Sequence, residues 1–281
     1  MTAFLEFDFL RRALLAAVVV GLAAPAVGTF IVQRRLALLG DGIGHVALTG
    51  VAAGFLTRTS PVVTAIVAAA LGAVAIELMR ERGRTSGDVA LALLFYGGIA
   101  GGVLLIGLAP GGSNATLLSY LFGSVSSVTS SDLYVVLGIA AVVLVIIAAF
   151  GRELFLLCQD AEVARVYGLH VRFLSLLIAV TAAVTIVIAM RVVGLLLVSA
   201  LMVVPVATAQ QLTRSFRATI LLAMAIGAGA SVGGLVGAFY VDVAPGAAIV
   251  VLALAVFIVA VALGRVVHRV WAFARTPNPR Q

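Results

Sequence analysis

The chain of 281 residues contains no lysine; all 18 of its basic residues are arginine. A P-loop needs the lysine of G-x-x-x-x-G-K-[ST] on the nucleotide phosphates, so this chain cannot hydrolyse ATP by that route. It has a single cysteine, Cys158, and so cannot form an intrachain disulfide. Charge of either sign is scarce, at 10% of residues against about a quarter in soluble chains. No H-E-x-x-H, no C-x-x-C and no Ser/His/Asp pattern is present, which argues against an enzyme working inside a membrane.

What is present is apolar. Hydrophobic residues make up 63% of the chain and the mean hydropathy is +1.26. That leaves too little polar surface to coat a soluble particle of this size, so a bilayer must cover most of it. The formal charge of +7 would suggest nucleic acid in a soluble protein. In a membrane protein it reflects arginines that hold loops on the cytoplasmic side, and no nucleic-acid partner is expected.

A spanning helix needs about 20 apolar residues. Nine stretches qualify or nearly so: 13–32, 42–56, 61–79, 89–109, 133–150, 173–190, 192–209, 218–240 and 245–264. The second is short and glycine-broken, so eight spans also fit. The fold class is therefore all-α, a polytopic bundle forming one transmembrane domain over 1–281. The first apolar run follows Glu6, Asp8, Arg11 and Arg12 and lacks a cleavage site, so it is read as a span rather than a removable signal peptide. With nine spans and the C-terminus inside, 14 of the 18 arginines fall on the cytoplasmic side. The N-terminus and Arg11, Arg12, Arg58 and Arg191 then lie outside, and 265–281 forms a cytoplasmic tail.

Two connections are long. Segment 110–132 has no basic residue and lies outside, with 117–122 able to form a short re-entrant or interfacial helix. Segment 151–172 lies inside; within it Ala161, Val163, Ala164 and Val166 suit a short surface helix that Gly168 would stop. Gly229, Gly233 and Gly237, and the pairs Gly97/Gly101 and Gly98/Gly102, form small-xxx-small ladders for close helix packing. Pro25 and Pro205 lie inside spans and are expected to kink them.

Ionisable residues inside spans default to functional candidates. Asp41 and His45 stand four apart, on one helix face if span 2 is helical there. A carboxylate and an imidazole so placed suit a divalent transition metal. The competing structural reading has Asp41 capping span 2 and His45 bonding a carbonyl. The surrounding glycines are no dinucleotide fingerprint, because no strand precedes them. Glu77 and Glu81 beside Arg80 and Arg84 read as a solvated helix end with local ion pairs. His170 and His268 read as solvated, as do Asp132 and Asp242 outside.

The run RRLALLGDGIGHVALTGVA from Arg34 resembles the RRM-x-x-x-GD-x-x-x-H signature of zinc, manganese and iron ABC-importer permeases, the ABC-3 family, with Leu36 where methionine is usual. LSYLFG at 118–123, VGLLLVSALMVVPVATA at 193–209 and the turn at 240–246 are similar to further family segments. The resemblance implies a fold like that of type II ABC importer permeases, and more distantly that of cobalamin and siderophore permeases. It implies a homodimer in the cell membrane, a cytoplasmic ABC ATPase dimer that binds the ATP, and an extracellular metal-binding protein. The chain itself would be a transport subunit with no cofactor. Asp41 and His45 would be transient ligands to the transported metal, with zinc slightly favoured over manganese and iron. Asp160, Glu162, Ala164 and Gly168 would belong to the helix that couples to the ATPase within 151–172. Arg11, Arg12, Asp132 and Asp242 would face the binding protein. Two alternatives are kept: a permease for a metal chelate, which would need no metal-ligand pair, and an ion-coupled secondary transporter, which would need acids at mid-span.

Overall fold

The computed structural model describes residues 8–81, 87–109, 119–123 and 129–274. These are almost wholly helical: α1 (Asp8–Gln33), α2 (Leu39–Thr57), α3 (Pro61–Glu81), α4 (Gly87–Leu108), α5 (Ser130–Gln159), α6 (Ala161–Val166), α7 (Val171–Val193), α8 (Leu195–Leu212), α9 (Phe216–Val241) and α10 (Pro245–Ala274). A helical turn also occupies 119–122, inside the expected 117–122 piece, of which 117 and 118 lie outside the described residues. Among the described residues, eight helices are long and apolar enough to cross a membrane: α1 to α5, α7, α9 and α10. The uncertainty between eight and nine spans falls on α8, whose 18 residues rise about 27 Å.

Burial separates the centre from the rim. The apolar windows of α1 and α7 are each 72% buried and that of α2 is 67%, whereas α3, α4, α5, α9 and α10 reach 33% at most. The sequence of α1 explains its place. Ala13, Ala16, Ala17, Ala24 and Ala26 are wholly or almost wholly buried, and such small side chains let α5, α7, α8 and α9 approach its backbone together. Between helices in lipid this is van der Waals packing rather than a gain from leaving water. Pro25 cannot donate to the carbonyl of Gly21, four residues back. That carbonyl instead lies against Gly227 of α9, where a Cβ would collide with it.

The ladder expected along α9 is therefore out of register. Gly227, Ser231 and Gly234 face neighbouring helices, while Gly229 and Gly237 have open space beside them and Gly233 meets only a leucine side chain. Small residues occur so densely here that spacing alone could not select the packed stripe.

Segment 151–172 is not one connection. α5 runs unbroken to Gln159, because Leu154 and Leu157 continue its buried stripe past Gly151. Only 160–170, with α6 inside it, links α5 to α7. α5 also starts earlier than 133. Thr129 accepts from the Asp132 amide (3.2 Å) and the Thr129 amide donates to Asp132 Oδ2 (3.1 Å), a capping box. Likewise α10 continues past 264 to Ala274, so the first part of the expected tail is helix.

Helices also end where no glycine marks a stop. Arg35, Arg58 and Asp242 take left-handed φ values of 56–58°. Around Arg35, Leu36 N–H donates to Ile31 O and Arg35 N–H to Val32 O, the paired bonds of a Schellman motif. This sharp stop turns the chain from α1 into α2.

Candidate functional site

Leu38 holds the N-cap position before α2 and its side chain makes no cap bond; Asp41 sits in the first turn and does not cap the helix. The helix dipole favours a carboxylate there. Asp41 is half-buried, and among the described residues its carboxylate makes no hydrogen bond. His45 lies one turn further along the same face, buried at 7% exposure. Its Nδ1 has no hydrogen-bond partner, so on that atom the imidazole is not satisfied by a carbonyl.

The neighbours of these first turns of α2 come from α4 and α8. Phe95 of α4 sets its ring edge-to-face on His45, with centroids 4.7 Å apart at 81°. One turn beyond, Thr49 Oγ1 donates to Gly98 O (2.7 Å) and ties α4 to α2. A Cβ on Gly98 would lie 2.6 Å from the His45 carbonyl carbon, so only glycine allows this approach. On another side, Gly40 and Gly44 admit Ser199 and Leu195 of α8. Ser199 Oγ is also buried without a partner. An orphaned buried polar atom costs about 1–3 kcal/mol and calls for an explanation. Two of them flank the first turns of α2.

Asp41 and His45 supply two donors. Among the described residues no three His, Cys, Asp or Glu side chains cluster to hold a metal ion. The arrangement suits a ligand met in passing better than a closed cage, and a transport site must also release its ion. Phe95, Thr49, Gly98 and Ser199 were not foreseen as parts of the site. Thr49, at i+4 from His45, and Gly98, within a small-xxx-small pair, carried the only sequence signals.

Beneath this face, at the arginine-rich end, the expected solvated Glu77 is instead buried at 5% exposure. Arg34 Nη2 reaches Glu77 Oε1 (3.3 Å) and Arg80 Nη1 reaches Glu77 Oε2 (3.0 Å). Arg34 also donates to Ser175 Oγ (3.1 Å). One carboxylate thus joins the ends of α1 and α3, and Arg34 carries the link on to α7. Sequence spacing shows only the local Arg80 pair; Arg34 is 43 residues away and gives no local signal.

α6 lies at this same end. Asp160 caps it, accepting from the amides of Glu162 (2.8 Å) and Val163 (3.2 Å). Glu162 pairs with Arg165 at 2.9 Å, and Ala164 is the buried contact. Gly168, at φ +78°, closes the helix as expected, with Leu169 N–H donating to Ala164 O and Gly168 N–H to Arg165 O. Val166 and Tyr167 stay 86% and 74% exposed and form an apolar tip. His170 is exposed, as expected.

At the opposite end, Asp132 is not a solvated acid. Its side chain is 16% exposed, caps α5 and pairs with Arg191 of α7. Tyr120 stands beside this pair; burial holds its phenol above the ordinary tyrosine pKa, with Arg191 pulling it down. Arg12 donates to Ser130 Oγ (2.9 Å), and Arg11 lies 3.9 Å from Asp8 at the surface. Asp242 is exposed at the end of α9. Arg11, Arg12, Asp132 and Asp242 therefore do gather at one end.

Comparison with known proteins fits this layout. The chain is 35% identical over 254 residues to the manganese import system permease protein ScaB of Streptococcus gordonii, covering 90% of this chain and 91% of that one. It is 33% identical over 256 residues to the manganese transport system membrane protein MntC of Listeria innocua, covering 91% of each. Its fold matches that of PsaBC from Streptococcus pneumoniae, solved in complex with Fab, with a TM-score of 0.84, 34% identity and coverage of 92% of this chain and 93% of that one. Residues 6–264 match the ABC 3 transport family, and the chain belongs to that family.

Proposed function

We propose that this chain is the membrane permease of an ATP-driven importer of divalent transition metal ions, with manganese the first cargo to test. The observation that carries the reading is His45: a buried imidazole with an unsatisfied Nδ1, one turn from the Asp41 carboxylate. Imidazole and carboxylate together suit manganese, iron and zinc. The family supports transport of metal, and the names of the relatives favour manganese over the zinc suggested by the span-2 motif.

Two copies pair in the membrane, an extracellular metal-binding protein docks on the end bearing Arg11, Arg12, Asp132 and Asp242, and an ABC ATPase dimer binds below. The C-terminus lies in the cytoplasm and the N-terminus outside, as the arginine distribution implies. Support for the ATPase site comes from α6, a stiff capped turn with an exposed Val166–Tyr167 tip. Its motion passes to α7, which begins five residues after α6 ends and is latched through Ser175 to Arg34. Arg34 lies seven residues before Asp41, so displacement of α6 is carried to the start of α2 by a short, stiff route. The ion passes Asp41 and His45 when α4 and its Phe95 move off α2.

The test is His45→Ala in the assembled transporter. Metal uptake should be lost while ATPase co-purification persists; normal uptake would remove His45 from the pathway.

A further inference from the structure

An open cleft of ≈ 630 Å³ lies at the arginine-rich end, between the ends of α1 and α3 and the α6–α7 corner. Its wall carries Arg34, Arg80, Arg165, His170 and Arg172, with Glu77 as its carboxylate. Glu77 is already shared by Arg34 and Arg80, which leaves both guanidiniums fixed in place with donors to spare. Arg165 also meets Glu162 outside the cleft. Two guanidiniums share the one carboxylate, with Arg165, His170 and Arg172 beside them, so the wall is basic and the cavity is in the size range of small-ligand sites.

A transported cation would be repelled here, so the cleft is not part of the metal path. Guanidiniums in a fixed fork match the oxygens of a phosphate group. The cleft also sits where helix ends leave the membrane, and basic pockets between spans at that level bind anionic head groups. We propose that it binds the phosphate of an anionic phospholipid head group, which would brace the Arg34–Glu77–Arg80 latch against α6. The inference needs this end to lie at a membrane surface and does not depend on which metal is carried.

Native mass spectrometry of the detergent-purified chain tests it, with phosphatidylglycerol, phosphatidylcholine and inorganic phosphate as probes. Phosphatidylglycerol should be retained several-fold better than phosphatidylcholine. The double variant Arg165→Gln/Arg172→Gln, both at exposed positions, should lower that retention by about tenfold, whereas Arg214→Gln, outside the cleft, should not. Equal retention of the two lipids would overturn the proposal, as would an unaffected double variant. Saturation by inorganic phosphate with no preference between lipids would assign the cleft to free phosphate and overturn the lipid assignment.

Discussion

Gly98 of α4 lies directly on the backbone of His45 in α2, with room for a hydrogen atom and nothing larger. The atoms a Cβ would meet are the His45 carbonyl carbon at 2.6 Å and the Val46 nitrogen at 2.7 Å, and a helix backbone cannot give way locally. Gly98→Ala should therefore push α4 from α2, reduce metal uptake severely and destabilise the fold by about 1–3 kcal/mol. Gly97→Ala, one residue earlier, has open space for its methyl and should change stability by about 0.5 kcal/mol or less. Uptake and thermal unfolding of the pair, measured side by side, check this contrast.

Glu77 is the single carboxylate between Arg34 and Arg80. Removing it by Glu77→Ala leaves two partly buried guanidiniums without their counter-charge, a change that costs about 3–5 kcal/mol in comparable buried pairs. Glu77→Gln keeps an acceptor and should lose less. Thermal unfolding in detergent gives the order, and a Glu77→Ala protein as stable as the parent would show that the latch does not hold the helix ends.

The fold was largely legible because its signal is long-range in composition and repeats in every span. The positions of nine apolar stretches follow from length and hydropathy; each corresponds to a helix among the described residues, eight of them long and apolar enough to span, with the seventh shifted to Leu195–Leu212. Their ends were harder. Arg35, Arg58 and Asp242 close helices in the left-handed conformation that usually announces itself as glycine. α5 runs through Arg152 and Glu153, because its buried stripe continues at Leu154 and Leu157. In the site, Asp41 and His45 were legible as rare ionisable groups at helical spacing. The residues that shape their surroundings were not: Phe95 and Ser199 are ordinary members of apolar helices, and only tertiary packing brings them to His45 and to Gly40. Asp132 and Glu77 were misread for the same reason, since their partners Arg191 and Arg34 are 59 and 43 residues away.

Asp132 both caps α5 and pairs with Arg191. Asp132→Asn keeps a side chain that can cap but loses the charge, so it should cost less than Asp132→Ala, which loses both. Loss of such a cap alone costs about 0.5–2 kcal/mol. Unfolding temperatures falling in that order support the dual role; two equal values would reduce Asp132 to the partner of Arg191, and an Asp132→Asn protein as stable as the parent would reduce it to a cap.

Gly168 and the α6 tip separate folding from coupling. Gly168→Ala must place a methyl at φ +78° and should weaken the end of α6 by about 1 kcal/mol. Tyr167→Ala and Glu162→Arg alter exposed side chains and should leave the unfolding temperature nearly unchanged. Both should nonetheless reduce ATPase co-purification or metal-stimulated turnover. Normal values in both variants would mean the ATPase docks elsewhere.

The most direct test of the transport reading is ion uptake into proteoliposomes. They would hold this chain, its ABC ATPase and its metal-binding protein, with and without ATP, and be supplied in turn with manganese, zinc and iron. The account predicts ATP-dependent uptake of a free divalent ion, manganese foremost, abolished by His45→Ala. An assembled complex that hydrolyses ATP yet moves none of the three ions would contradict it.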